Sequence, residues 1–215
     1  MKIQYLGHAA FLITADKGIK IITDPYETSP SLTYGEITEP ADIVTVSHGH
    51  HDHYYASGIR GNPEVINRTG RITAEGIEFK GIASFHDEAK GSLRGNNIIF
   101  CFELDGIRVC HLGDLGHLPD DKQLKEIGSV DVLLIPVGGY YTIDAKAATQ
   151  VCNQLKPGVI IPMHYKTEKG IPNIVGVDEF LKGKSNVTRQ DLSEVELKRE
   201  ELPPTSQIIV LRPAS

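Results

Sequence analysis

The chain has 215 residues, 40% hydrophobic and 23% charged, with a formal net charge of −6. That length buries a core without disulfide support, the composition is ordinary for a soluble globular protein, and the acidic balance offers no electrostatic footprint for nucleic acid. Three cysteines are too few for a disulfide framework, and no apolar run approaches the roughly 18 residues of a membrane span, so no membrane association is expected.

The first residues, Met1-Lys2-Ile3-Gln4-Tyr5, lack the apolar core of a secretion signal, and a cytoplasmic location is expected. Residues 2–6 and 10–15 read as strands joined at Gly7-His8-Ala9, and Asp16-Lys17-Gly18 turns the chain into a third strand over 19–23. Residues 24–40, rich in Pro, Ser, Thr and Glu without periodicity, predict a surface loop suited to substrate contacts. The apolar run 43–46 reads as a buried strand, and it leads into His48-Gly49-His50-His51-Asp52-His53, which holds four of the nine histidines.

Residues 54–61 predict a short helix, whereas 63–77 give no firm pattern. A strand over 77–85 ends at His86-Asp87. Asp105-Gly106 is a two-residue hairpin turn between 98–104 and 107–112, and that register sets Cys101 opposite Cys110 as two reduced thiols. Residues 120–127 have helical spacing, an acidic first turn and Gly128 as a stop. After a strand over 132–137, Thr142 is the expected N-cap of a helix to about residue 155, with Asp144 in its first turn and Pro157-Gly158 at its end. A strand over 159–163 leads to His164; a helix near 177–182, a charged stretch over 189–201 and a strand over 207–211 complete the chain. Strands followed by helix–strand alternation predict one α/β domain over 1–215, with two packed sheets covered by helices or a single mixed sheet.

His48, His86, Asp114 and His164 each fall at, or within a residue or two of, a predicted strand end, and strand ends in a layered domain can meet on one edge. Imidazole and carboxylate without cysteine suit an open catalytic metal site. The set His48, His50, Asp52, His53, His86, Asp114 and His164 exceeds the about three protein ligands of a single catalytic zinc, which argues for two ions. A solvated histidine-rich loop explains neither the preceding buried strand nor the later ligands. His8 is equally compatible with a structural and a site-lining role, as are His111 and His117 with hydrogen bonding to a ligand or with exposure. Tyr140, Tyr141, Arg94 and Lys166 follow strands on the same edge, and the two cations are candidate contacts for an anionic substrate.

The order His-x-His-x-Asp-His, followed by single His, Asp and His residues after later strands, resembles the metallo-β-lactamase fold superfamily over roughly residues 1–170. The resemblance implies a four-layer αββα sandwich of two mixed β-sheets flanked by helices. It also implies a ligand set: His48, His50 and His86 for one metal, Asp52, His53 and His164 for the second, Asp114 between them, and no role for His51. Tyr5-Leu6-Gly7-His8-Ala9-Ala10-Phe11, His111-Leu112-Gly113-Asp114, Ile135-Pro136-Val137-Gly138-Gly139 and Ile161-Pro162-Met163-His164-Tyr165 are similar to small cytosolic metal-dependent hydrolases grouped with L-ascorbate-6-phosphate lactonase. Substrate does not follow, because that branch is chemically diverse.

Two divalent ions lower the pKa of a bridging water enough to give hydroxide near neutral pH, and Asp52 both ligates and orients that water as the catalytic residue. Imidazole favours Zn2+, while Mn2+ and Fe2+ also fit. The expected partner is a small-molecule lactone, ester or phosphoester; the oligomeric state leaves no mark in the sequence. A phosphodiesterase or nuclease of the same fold competes, against the acidic balance and without room for a large nucleic-acid-binding insertion. A di-iron oxygen- or nitric-oxide-reducing protein is disfavoured because such relatives carry Glu at the position of His50, and a non-catalytic metal-binding module is disfavoured by the intact ligand set.

Overall fold

The computed structural model describes residues 1–214. In chain order its elements are β1 (Lys2–Gly7), β2 (Ala10–Thr14), β3 (Lys20–Thr23), β4 (Ile43–Thr45), β5 (Glu64–Ile66), β6 (Gly70–Ala74), β7 (Ile77–Phe85), β8 (Asn96–Leu104) and β9 (Ile107–His111). There follow α1 (Asp121–Ile127), β10 (Val132–Pro136), α2 (Ala145–Leu155), β11 (Val159–Met163), α3 (Val177–Leu181), β12 (Val187–Arg189), β13 (Glu194–Glu196) and β14 (Gln207–Val210).

The strands form two mixed sheets, in the orders β13-β1-β2-β3-β4-β5 and β12-β14-β11-β10-β9-β8-β7-β6. The first is antiparallel through β3 and parallel beyond it; the second is parallel from β12 to β9 and antiparallel from β9 to β6. Alternation in β1 and β2 sends Ile3, Tyr5, Phe11 and Ile13 into the cluster that also holds Phe79, Phe100, Val109 and Leu133 of the other sheet, so the sheets share one core. The opposite face of the first sheet, with Leu6, Leu12, Ile22 and Val44, packs against Tyr26, Leu32 and Tyr34. Strand β10 is buried at all five positions, as a central parallel strand covered on both faces must be. Ala148, Val151, Cys152 and Leu155 of α2 contribute to the main cluster.

The predicted hairpin forms with Cys101 paired to Cys110. Helix α1 carries a capping box in which Asp120 and Gln123 each accept the other's backbone N–H. Three expectations change, and two stretches gain strands that the sequence left open. Residues 54–61 give only a 3-10 turn, Ala56–Gly58, because the N–H of Tyr55 is held by the carbonyl of Pro25 and the chain is extended again at Ile59. The N-cap of α2 is Asp144, whose Oδ1 accepts from the N–H of Ala147 at 2.8 Å, while the Thr142 hydroxyl donates to the carbonyl of Ile143. Segment 24–40 is not merely a surface loop, since Tyr26, Leu32 and Tyr34 are at most 2% exposed. Finally, 63–77 and 189–201 hold strands, β5 and β6 in different sheets and β13 against β1, whose short lengths leave no periodicity to read.

Candidate metal centre

Because β9, β10 and β11 run parallel, their C-terminal ends lie on one edge of the second sheet, and Asp114 and His164 follow from there. His86 enters from the end of β7, and the 48–53 segment follows β4 of the facing sheet. Turn chemistry fixes these exits. Gly113 has φ +56°, and a Cβ there would stand 2.4 Å from Asn97 Oδ1 and 2.5 Å from Ser47 Cβ, so only glycine lets the chain deliver Asp114. The buried Asn97 then accepts the Asp114 N–H through Oδ1 at 2.9 Å, while its amide donates to Ser84 Oγ and the Leu112 carbonyl.

All seven predicted residues come together. Asp114 Oδ2 lies 3.1 Å from His86 Nε2, 3.3 Å from the Nε2 atoms of His53 and His164, and 3.9 Å from His48 Nε2. Ligand-capable atoms of His48, His50 and His86 lie within 4.8 Å of one another, as do those of His8, Asp52, His53 and His164. The first group holds the three residues expected at one ion and the second the three expected at the other, with His8 added, while a third group, Asp24, His48 and His53, cuts across that division. His51 is exposed and in neither group.

The histidines are pre-set as ligands by a residue that the sequence reading passed over. Asp24, fully buried, accepts the Ser47 N–H at 2.7 Å and the Ser47 hydroxyl at 2.5 Å. With its proton committed to Asp24, Ser47 Oγ is left to accept from His48 Nδ1 at 2.9 Å, and His53 Nδ1 donates to Asp24 Oδ2 at 3.0 Å. Both rings therefore hold a proton on Nδ1 and turn Nε2 inward as the atom left to meet a metal. Those two Nε2 atoms, with Asp114 Oδ1, are buried without a hydrogen-bond partner among the described residues. Buried polar atoms left without a partner are costly, and three of them within one cluster of ligand-capable side chains fit bound cations. The only sequence signal for Asp24 was a polar residue ending a buried strand before Pro25.

Electrostatics separate the rings. Burial, reinforced by His53, pushes the His48 imidazole down to about 3, and burial with His164 pushes His8 down to about 4, so both are neutral at physiological pH. For His53 burial works against the charged form, yet the Asp114 and Asp24 carboxylates outweigh it and raise the pKa well above 6.5, so that without a metal its Nε2 is also protonated and a bound ion would displace that proton. Asp114 is held well below the usual carboxylate range; burial opposes this, and His164 and His53 prevail. Asp52 is likewise held low against burial, chiefly by His8.

The ambiguous histidines resolve. His8 Nε2 lies 3.1 Å from Asp52 Oδ2. His111 instead ties the sheets together, through Nε2 to the Ala9 carbonyl, and His117 accepts the Phe85 N–H; neither bonds a predicted ligand. A cleft of about 520 Å3 opens over the cluster, with Arg94 and Tyr141 on its wall. Tyr140 and Lys166 are exposed and do not line it.

Residues 2–164 match the family described as the beta-lactamase superfamily domain. A UPF0173 metal-dependent hydrolase of Carboxydothermus hydrogenoformans is 35% identical over 205 residues, covering 82% of this chain and 89% of its own. A crystal structure from Thermotoga maritima, of a protein proposed as a Zn-dependent hydrolase of the metallo-β-lactamase superfamily, is 42% identical with a TM-score of 0.82 and covers 98% of this chain and 97% of its own. Igni18, a metallo hydrolase of Ignicoccus hospitalis, shares the fold at 22% identity, with a TM-score of 0.66 and coverage of 100% and 96%.

Proposed function

This chain belongs to the metallo-β-lactamase superfamily and is a metal-dependent hydrolase; we propose that it works as one domain around a dinuclear centre that hydrolyses a small lactone, ester or phosphoester. His48, His50 and His86 would hold one divalent ion, Asp52, His53 and His164 the second, and Asp114 would serve both. Imidazole-rich coordination favours zinc, with manganese or iron also compatible. The observation that carries this reading is the pair of inward, unpartnered Nε2 atoms on His48 and His53, one from each ligand group, set by a shared Asp24.

Two such ions, when bound, would supply Lewis acidity toward a coordinated water and toward the scissile oxygen. The chain does the rest. Asp52 orients the attacking water and takes part in its proton transfer. His8, neutral and buried, donates from Nε2 to Asp52 Oδ2 and fixes the rotamer of that carboxylate. The backbone of His8 is itself pinned, since its carbonyl accepts both the Tyr5 hydroxyl at 2.9 Å and the His164 N–H at 2.8 Å. The cleft is of small-molecule size, within the roughly 300–1,000 Å3 of ligand pockets. Three unpaired cysteines suit a cytoplasmic setting.

The test is a panel of lactones, esters and phosphodiesters assayed with zinc-loaded protein and with Asp52→Ala. Turnover by the former alone, with both proteins folded, is expected; equal rates would overturn the mechanism.

A further inference from the structure

We propose that Arg94 forms an anion subsite in the cleft, so that the substrate carries an oxyanion, carboxylate or phosphate, apart from its scissile bond. The inference rests on the hydrolase reading and names the substrate class it leaves open.

Three observations converge on Arg94. It is the only lysine or arginine among the described residues that line the cleft, whose other charged groups include Asp52 and Asp114. It is half-buried, its guanidinium carbon lies 5.7 Å from the centre of the Tyr141 ring, and among the described residues the guanidinium makes no ion pair or hydrogen bond. A cation held against an aromatic face with its donors free is prepared for an incoming acceptor, and a guanidinium matches carboxylate or phosphate with two parallel donors.

Its position is built rather than incidental. Asp87, 3% exposed and next to His86, accepts the backbone N–H groups of Gly91 at 2.9 Å, Leu93 at 3.1 Å and Arg94 at 2.7 Å. The His86 N–H donates to the Gly95 carbonyl at 3.0 Å and closes the same loop. Arg94 is thus tied through one carboxylate to the strand end that supplies His86, which fixes its distance from the ligand cluster. Lys166, the other candidate cation from the sequence, is exposed outside the cleft.

The experiment compares nitrophenyl esters of equal acyl length ending in a carboxylate, a phosphate or a methyl group, in zinc-loaded wild type, Arg94→Ala and Arg94→Lys of verified fold and metal content. Wild type should prefer a charged ester by about 10- to 100-fold in kcat/KM, carried by KM. Arg94→Ala should erase that preference and Arg94→Lys restore part of it, and the ester preferred identifies the anion. Hydrolysis without charge preference, or a preference unchanged in Arg94→Ala, overturns the subsite and leaves the hydrolase reading intact. If wild type cleaves no ester, the hydrolase reading fails instead, and benzoate and phenylphosphonate titrated into the same zinc-loaded proteins decide the subsite: binding weakened at least tenfold in Arg94→Ala supports it, and equal binding overturns it.

Discussion

His8 and Asp52, 44 residues apart, meet through Nε2 and Oδ2 at 3.1 Å in a position where the His8 ring is 1% exposed. The ring also packs 4.2 Å from that of His164 and 4.9 Å from that of His53, so His8 supports the second ligand group from behind. Replacing it with alanine should lower kcat about 10- to 100-fold with little change in KM. His8→Gln, which keeps an N–H at similar reach, should recover part of kcat. A merely structural role would lower melting temperature in both variants without that rescue.

Asp24 sets the tautomers of two proposed ligands. In Asp24→Asn the side-chain amide would face the Nδ1–H of His53 with a donor and drive the ring toward the wrong tautomer. Zinc affinity, measured by competition with a chromophoric chelator, should fall about 10- to 100-fold. Ser47→Ala, which cuts only the relay to His48, should weaken binding less.

The raised pKa of His53 gives a pH dependence of definite sign. In metal-free protein the charged ring is favoured by Asp114 and Asp24 over the cost of burial. The resulting stability is complete below the unfolded value near 6.5 and is lost as pH rises through the folded value. Metal-free protein should therefore melt at lower temperature as pH rises above about 6.5, whereas the loaded protein should not. Zinc binding near neutral pH should release about one proton from this ring, read by calorimetry in buffers of different ionisation enthalpy.

Gly113→Ala tests the backbone of the site. The added methyl meets Asn97 Oδ1 and Ser47 Cβ within 2.5 Å at φ +56°, so the protein should lose about 1–3 kcal/mol in denaturant titration. Asp114 should shift with the loop, and bound metal should fall along with stability.

Much of this site was legible because its ligands follow strands long enough to show a pattern: β7 before His86, β11 before His164 and the Asp105-Gly106 hairpin all lie where the sequence places them. The supporting residues were not. Asp24 and Asn97 act through tertiary hydrogen bonds whose partners lie 23 and 17 residues away, and nothing local distinguishes them from loop polar residues. Tyr26, Leu32 and Tyr34 were hidden for the opposite reason, as isolated apolar residues in a polar stretch, buried only because the outer face of the first sheet needs a cover. Short edge strands such as β5 and β13 take their pairing from neighbours rather than from their own composition.

The account stands on a centre with two ions. Protein reconstituted with excess zinc, freed of loose metal and assayed by elemental analysis should hold two zinc ions per chain, and removal of either His86 or His164 by alanine substitution should leave about one. A wild type that saturates at one ion per chain, or binds none, would contradict the dinuclear centre.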